Sequence, residues 1–344
     1  MGDITLTNDS FTPRQLCALM ATSLAAPLVT ICASRSWQWV LLAVAAAGIF
    51  YIYIVWAAGG IPPRTGYGRM LRRAYGRAGG RALMGLYWAW LLLTIGLAAN
   101  MSAGAFPQDQ SLPLIPLTLV LLAALVAAKG PGAACRFGGT LFLLVAALLG
   151  CNLAFGAVDI QARNLLPAGT IGEAAAPLAV LLLPAAGLFF RDRAEGNASA
   201  YLRWYLLAAA LAVAVSIVCV GALGRPLAQA VDHPFWTMTR SISVLGVMER
   251  FEAVISSLLS VSFCCLLAFL LALSGKTLSS AAPVLGEGPA VWGSAALGFA
   301  ALWLAPYVPT WVWLAGSGVF WGFLPALTLG LVRGKRLQNK QKIC

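Results

Sequence analysis

Ten apolar stretches divide this chain, at about 15–34, 37–58, 82–103, 111–128, 136–157, 171–190, 201–223, 251–273, 289–306 and 310–331. Each is near the roughly 20 residues that a helix needs to cross a bilayer. Lipid offers no partner to a backbone amide, so a spanning segment must be a helix or a strand of a closed barrel. Runs this long and this continuously apolar select helices. The expected fold class is an all-α polytopic membrane protein. Of the 344 residues, 60% are hydrophobic and 10% charged, a balance far from that of a soluble domain.

Lysine and arginine test the count independently. With the N-terminus placed inside, Arg14, the arginines of 59–81, Lys129, Arg136, Arg191, Arg193, Arg203, Lys276 and the basic residues of 332–344 all fall on one side. Only Arg35, Arg163, Arg225, Arg240 and Arg250 fall on the other, which makes 18 against 5. Positive charge gathers on cytoplasmic loops, so a multi-pass protein of an inner membrane is expected, with both termini cytoplasmic. Residues 1–14 would be a cytoplasmic N-terminus and 332–344 a basic cytoplasmic tail. The N-terminus has no basic start and no small-residue cleavage site, so no cleaved signal peptide is expected. The net charge of +12 resides in loops, which points to anionic lipids as partners and away from nucleic acid. Residues 59–81 hold six arginines and no acid. They read equally as a helix in the headgroup layer or as a solvated loop that sets orientation.

The spacing of the stretches repeats. Long loops, 59–81 and 224–250, follow the second stretch of each half. Pro27 is the thirteenth residue of span one and Pro184 the fourteenth of span six. An odd number of spans per half inverts the second half, so the chain reads as a five-plus-five inverted repeat, 15–157 and 171–331. Proline removes a helical donor and clashes with the preceding turn. Either break alone is explained as a tolerated kink. Paired breaks in two inverted halves point to a transporter-type binding site. The ligand-binding candidates are Ala25, Ala26 and Pro27 in span one and Pro184, Ala185, Ala186 and Gly187 in span six. Thr94 of span three and Ser256 and Ser260 of span eight would form the facing wall, although Ser256 and Ser260 equally form a helix-packing stripe.

Other chemistry is sparse. His233 is the only histidine and reads as a loop residue. No GxSxG, no phosphate loop and no paired carboxylates appear, so no enzyme is expected. The eight cysteines show no metal-ligand spacing, so neither a metal site nor a cofactor is inferred. Glu249, Arg250 and Glu252, at the start of span eight, serve equally as a gate or as a structural anchor. Glu173 is the remaining acid close to a span.

The run Arg240-Ser241-Ile242, followed by Met248-Glu249-Arg250-Phe251-Glu252-Ala253, resembles the approach to span eight in the spore-germination permeases, the GerAB-like B subunits of nutrient germinant receptors. Pro62-Pro63, Tyr75-Gly76-Arg77-Ala78-Gly79-Gly80 and Asn164-Leu165-Leu166-Pro167 are similar to that family's turns before spans three and six. The resemblance covers about Phe11 to Val332. It implies the amino acid–polyamine–organocation superfamily and its LeuT-like fold, with spans one and six unwound. It also implies a nutrient-sensing subunit that binds a small nutrient such as an amino acid and signals to other receptor subunits. The chain departs from the family at Gly187-Leu188-Phe189-Phe190-Arg191, where an acid is usual, and at Ala25-Ala26-Pro27, where glycines are usual. An amino acid or amine permease on the same fold and a structural membrane subunit with a degenerate site are the alternatives.

Overall fold

The computed structural model describes residues 11–62, 65–104, 114–166, 169–193, 200–241 and 251–341, with side chains omitted at 200–201, 251–252 and 336–341. Span one, Pro13–Cys32, starts where the Thr12 hydroxyl accepts the Gln15 amide and the Gln15 side chain accepts the Thr12 amide in return. That reciprocal cap satisfies two of the donors that a helix start leaves free. Spans two to five are Trp37–Gly59, Tyr67–Ala103, Leu114–Ala128 and Pro131–Gly156. Spans six to ten are Ile171–Phe190, Ala200–Leu223, Phe251–Ala281, Glu287–Ala300 and Thr310–Lys335. Eight of them are long and apolar enough to cross a membrane, and spans four and nine are shorter, at 15 and 14 residues.

Several boundaries differ from the sequence expectation; span eight, for one, runs to Ala281 rather than 273. Span nine ends at Ala300 rather than 306, and turns lead through Ala305–Tyr307 to Pro309. Pro306 and Pro309 cannot continue an α-helix. Span three begins at Tyr67 rather than 82 and turns at Gly76, whose φ of 82° is left-handed. Glycine occupies that region without steric cost.

The contacts repeat with a period of five spans. Span one packs on five as six packs on ten; four packs on eight as nine packs on three; one packs on seven as six packs on two. Spans one and six, two and seven, three and eight, and four and nine each touch their own counterpart. This is the contact pattern of two inverted halves wound about a common axis. Span eight is the most enclosed: 78% of its apolar window is buried, and it touches spans one, three, four, five and nine. Span eight is therefore the strut against which both halves are held. The end of the bundle that carries residues 65–81 and Asp192 is the basic end.

Candidate functional site

The site is built at the crossing of spans one and six. Span six is α-helical over Ala175–Leu182 and tightens into a 3-10 helix over Leu183–Phe190. Pro184 cannot donate to Val180, so the α-ladder stops there. The carbonyls released just before the break are met by Tyr51 of span two, whose hydroxyl lies 2.9 Å from the Leu181 oxygen and 3.3 Å from that of Leu182.

Span one does not unwind at Pro27. Its helix is continuous from Pro13 to Cys32, and the rung from the Ala26 amide to the Thr22 carbonyl lies just before the proline. The Ser262 hydroxyl of span eight enters that rung, accepting the Ala26 amide at 2.9 Å and donating to the Thr22 carbonyl at 2.5 Å. A side chain inserted in the i→i−4 ladder is a recognised cause of helix irregularity. Here the hydroxyl bonds both groups of that rung. The expected break in span one is thus corrected to a continuous helix: Pro27 withholds a donor only from the Ser23 carbonyl, one missing bond that the rest of the helix tolerates, and Ser262 braces the rung just before it.

Beside these two features lies a cavity of about 260 Å³ between spans one, three, six, eight and ten, in the half of the bundle away from the basic end. Pro27, Thr94, Leu183, Leu266, Trp313 and Trp321 shape it, and its hydroxyls are those of Thr94, Thr310 and Ser317. The Thr94 proton is already donated to the Trp90 carbonyl at 2.9 Å, which leaves its lone pairs for an incoming donor. Span ten passes the cavity as a π-helix over Gly318–Phe323, the form that recurs at functional sites. Trp90 stacks on Phe320 with ring centroids 5.4 Å apart and meets Trp313 at 5.4 Å. The walls offer few polar groups and no charge, so the cavity suits a small, mainly apolar molecule.

Of the residues singled out from the sequence, the structure brings Pro27 and Thr94 to this cavity. Ala25 lines a separate crevice between spans one, five and seven. Ala26, Pro184, Ala185, Ala186 and Gly187 are buried in packed backbone beside the cavity. The Ser256 hydroxyl accepts from the Trp236 indole at 3.3 Å, and Ser260 donates to the Ser256 carbonyl at 3.0 Å. Neither serine faces the cavity; Leu266 represents span eight there. Glu249 and Arg250 lie outside the described residues, as does the side chain of Glu252. Tyr51 and Ser262 are the residues that sequence reasoning missed. A tyrosine inside an apolar span was the available signal for the first. Ser262 is two positions from Ser260, about 200° around the helix, so the stripe of Ser256 and Ser260 pointed to the wrong face.

Both ends of the site are tied. Away from the basic end, the Glu173 carboxylate accepts Arg225 at 2.8 Å, Gln229 at 3.3 Å and the Ser36 amide at 2.9 Å. Toward the basic end, Asp192 pairs with Lys276, Arg193 with Glu287 at 2.8 Å, and Arg191 donates to the carbonyls of Ala58 and Ile61. The Phe189 ring fills the space between, its centroid 4.5 Å from that of Tyr67 and 5.1 Å from that of Tyr87, and the two tyrosine hydroxyls are 3.0 Å apart.

No protein-family model matches the chain, and no curated protein matches it. Among solved structures it is similar to MHP1, a nucleobase-cation-symport-1 family transporter, in a closed conformation with bromovinylhydantoin bound. The TM-score is 0.66 at 16% identity, over 91% of this chain and 75% of that one. At this identity the likeness establishes the LeuT-like fold of a multi-pass membrane protein.

Proposed function

We propose that this chain is a membrane permease that takes a small, mainly apolar organic molecule into the cavity between spans one, three, six, eight and ten. The observation that carries the reading is that cavity of about 260 Å³, set against the α-to-3-10 change at Leu183. The fold it shares with a transporter that holds a bound small molecule adds support. With the basic end cytoplasmic, as the charge distribution favours, the cavity loads from outside and empties once the contacts around Asp192 and Phe189 part.

A second reading, a nutrient-sensing subunit of a spore germinant receptor, uses the same cavity for binding and passes its signal to partner subunits. The span-eight sequence Met248-Glu249-Arg250-Phe251-Glu252-Ala253 favours it. So does the double closure of the basic end, which a sensor need never open fully. Glu249, Arg250 and Glu252 then act as gate or structural anchor.

Ligand-induced thermal stabilisation of the purified protein, against amino acids, amines, hydantoins and nucleobases, tests binding. A ligand at 100 times its dissociation constant contributes about 2.7 kcal/mol. Ala179 lines the cavity, so Ala179→Phe should abolish the shift while leaving the ligand-free melting point close to that of the parent. Gly187→Trp is the poorer probe, since Gly187 is packed in the 3-10 segment. Saturable uptake of the stabilising ligand by purified protein in liposomes would establish the permease. Binding without uptake would leave the sensor.

A further inference from the structure

The turn between spans two and three has a role that ligand binding does not use. Residues 67–75 form a helix with Tyr67, Met70 and Leu71 buried against the bundle and Arg69, Arg72 and Arg73 exposed. At Gly76 the left-handed φ of 82° turns the chain. The following stretch then packs so tightly that a Cβ at Gly80 would lie 2.8 Å from Cγ of Arg72 and 2.9 Å from its Cα. Two glycines therefore fold the basic run into an elbow, and Arg77 and Arg81 are exposed on its second limb.

Span ten completes the patch. Lys335 donates to the carbonyls of Arg73 and Ala74 at 3.1 and 3.0 Å, capping the end of the first limb. Arg333 lies over the Trp56 ring, 3.7 Å from its centroid, and Trp56 is 58% exposed. An exposed tryptophan at the end of a membrane span marks the level of the headgroups, so the elbow lies beside that level. Residues 59–81 contain no Asp or Glu. Asp192, which adjoins Gly66, is committed to Lys276. Among the described residues no carboxylate pairs with Arg69, Arg72, Arg73, Arg77 or Arg81.

We propose that this elbow is a docking surface for the phosphate groups of anionic phospholipids in the adjoining leaflet. Guanidinium forks match phosphate oxygens two by two, and five of them on a glycine-built elbow offer several such matches at headgroup depth. The apolar side of the first limb is buried in protein, so this limb does not enter the membrane as an amphipathic anchor does. Attraction is therefore electrostatic, and salt should weaken it. Because the same limb begins at Tyr67, which packs on Phe189 at the closed end of the site, bound lipid holds that closure in place.

The test compares the melting point of the protein in nanodiscs of phosphatidylcholine alone with that in nanodiscs containing phosphatidylglycerol. At low salt phosphatidylglycerol should raise it by several degrees. At about 1 M salt, where the screening length is about 3 Å, most of the rise should disappear. The variant Arg69→Gln/Arg73→Gln/Arg77→Gln/Arg81→Gln should lose most of the rise, its Arg→Lys counterpart should keep part of it, and Arg163→Gln, at the opposite end of the bundle, should keep all of it. An equal rise in the Gln variant, or one insensitive to salt, overturns the proposal. So does an equal rise from soluble glycerol phosphate over phosphatidylcholine, which would make the elbow a site for free phosphate. If the Gln variant does not fold, the salt and glycerol phosphate measurements on the parent protein decide alone.

Discussion

The two halves of the bundle solve the same problem differently. At the middle of the bundle, where the half away from the basic end begins, backbone beside the two prolines is met by single hydroxyls: Tyr51 at Leu181 and Leu182, and Ser262 at Thr22 and Ala26. Those repairs take little volume, and a cavity of about 260 Å³ remains beside them. Toward the basic end, span six is held by Lys276 on Asp192, Glu287 on Arg193 and the carbonyls that receive Arg191. Aromatic rings from spans three and six fill the remaining space there. One half keeps room for a guest, and the other is closed by charge and by packing. The likeness of the two repeats therefore lies in their winding, whereas function follows from what fills each crossing.

Substitutions should separate these two kinds of closure. Removing Lys276 by Lys276→Ala strands Asp192 in a partly buried position. Loss of one partner from a buried pair costs on the order of 3 kcal/mol, so the melting point should fall most here, and labelling of a cysteine introduced beside Phe189 should rise. Labelling unchanged from the parent would mean that the aromatic rings close this end without the ion pair.

Tyr51→Phe acts on the other half. It leaves the buried carbonyls of Leu181 and Leu182 short of a donor, at a cost of about 1–3 kcal/mol, read as a lower denaturation midpoint. Ser262→Ala should cost less, about 1 kcal/mol, because Ala26 and Thr22 can restore their own rung once the hydroxyl is gone. A loss larger for Ser262→Ala than for Tyr51→Phe would mean that the inserted serine is essential to span one.

The smallest effect belongs to Glu287→Gln. Its partner Arg193 and Glu287 itself are 23% and 40% exposed, and pairs this solvated contribute about 0–1 kcal/mol. A shift near that of Lys276→Ala would show that the two ion pairs act as one network, which a double-mutant cycle would measure.

Much of the fold was legible because membrane insertion writes itself into the sequence. Apolar length marked the spans, and the positions of Pro27 and Pro184 marked the two halves. The site was legible only in part. Pro27 and Thr94 reach the cavity, but Leu183, Leu266, Trp313 and Trp321 are ordinary apolar residues that no pattern distinguishes from lipid-facing neighbours. Proline also predicts only that a helical donor is missing. In span six Pro184 brought a change of helix type, whereas in span one Pro27 lies in a continuous helix.

The sequence by itself determined the all-helical membrane class and the five-plus-five order of spans. It also determined the gathering of arginine before span three. These follow from hydrocarbon length, charge bias and spacing, which are one-dimensional. Only the tertiary structure decided that Ser262 rather than Ser260 meets span one, that Tyr51 caps the break in span six, and that a cavity remains between spans one, three, six, eight and ten. Those outcomes depend on which face of each helix meets its neighbour, and in a chain so uniformly apolar the hydrophobic pattern does not specify that face.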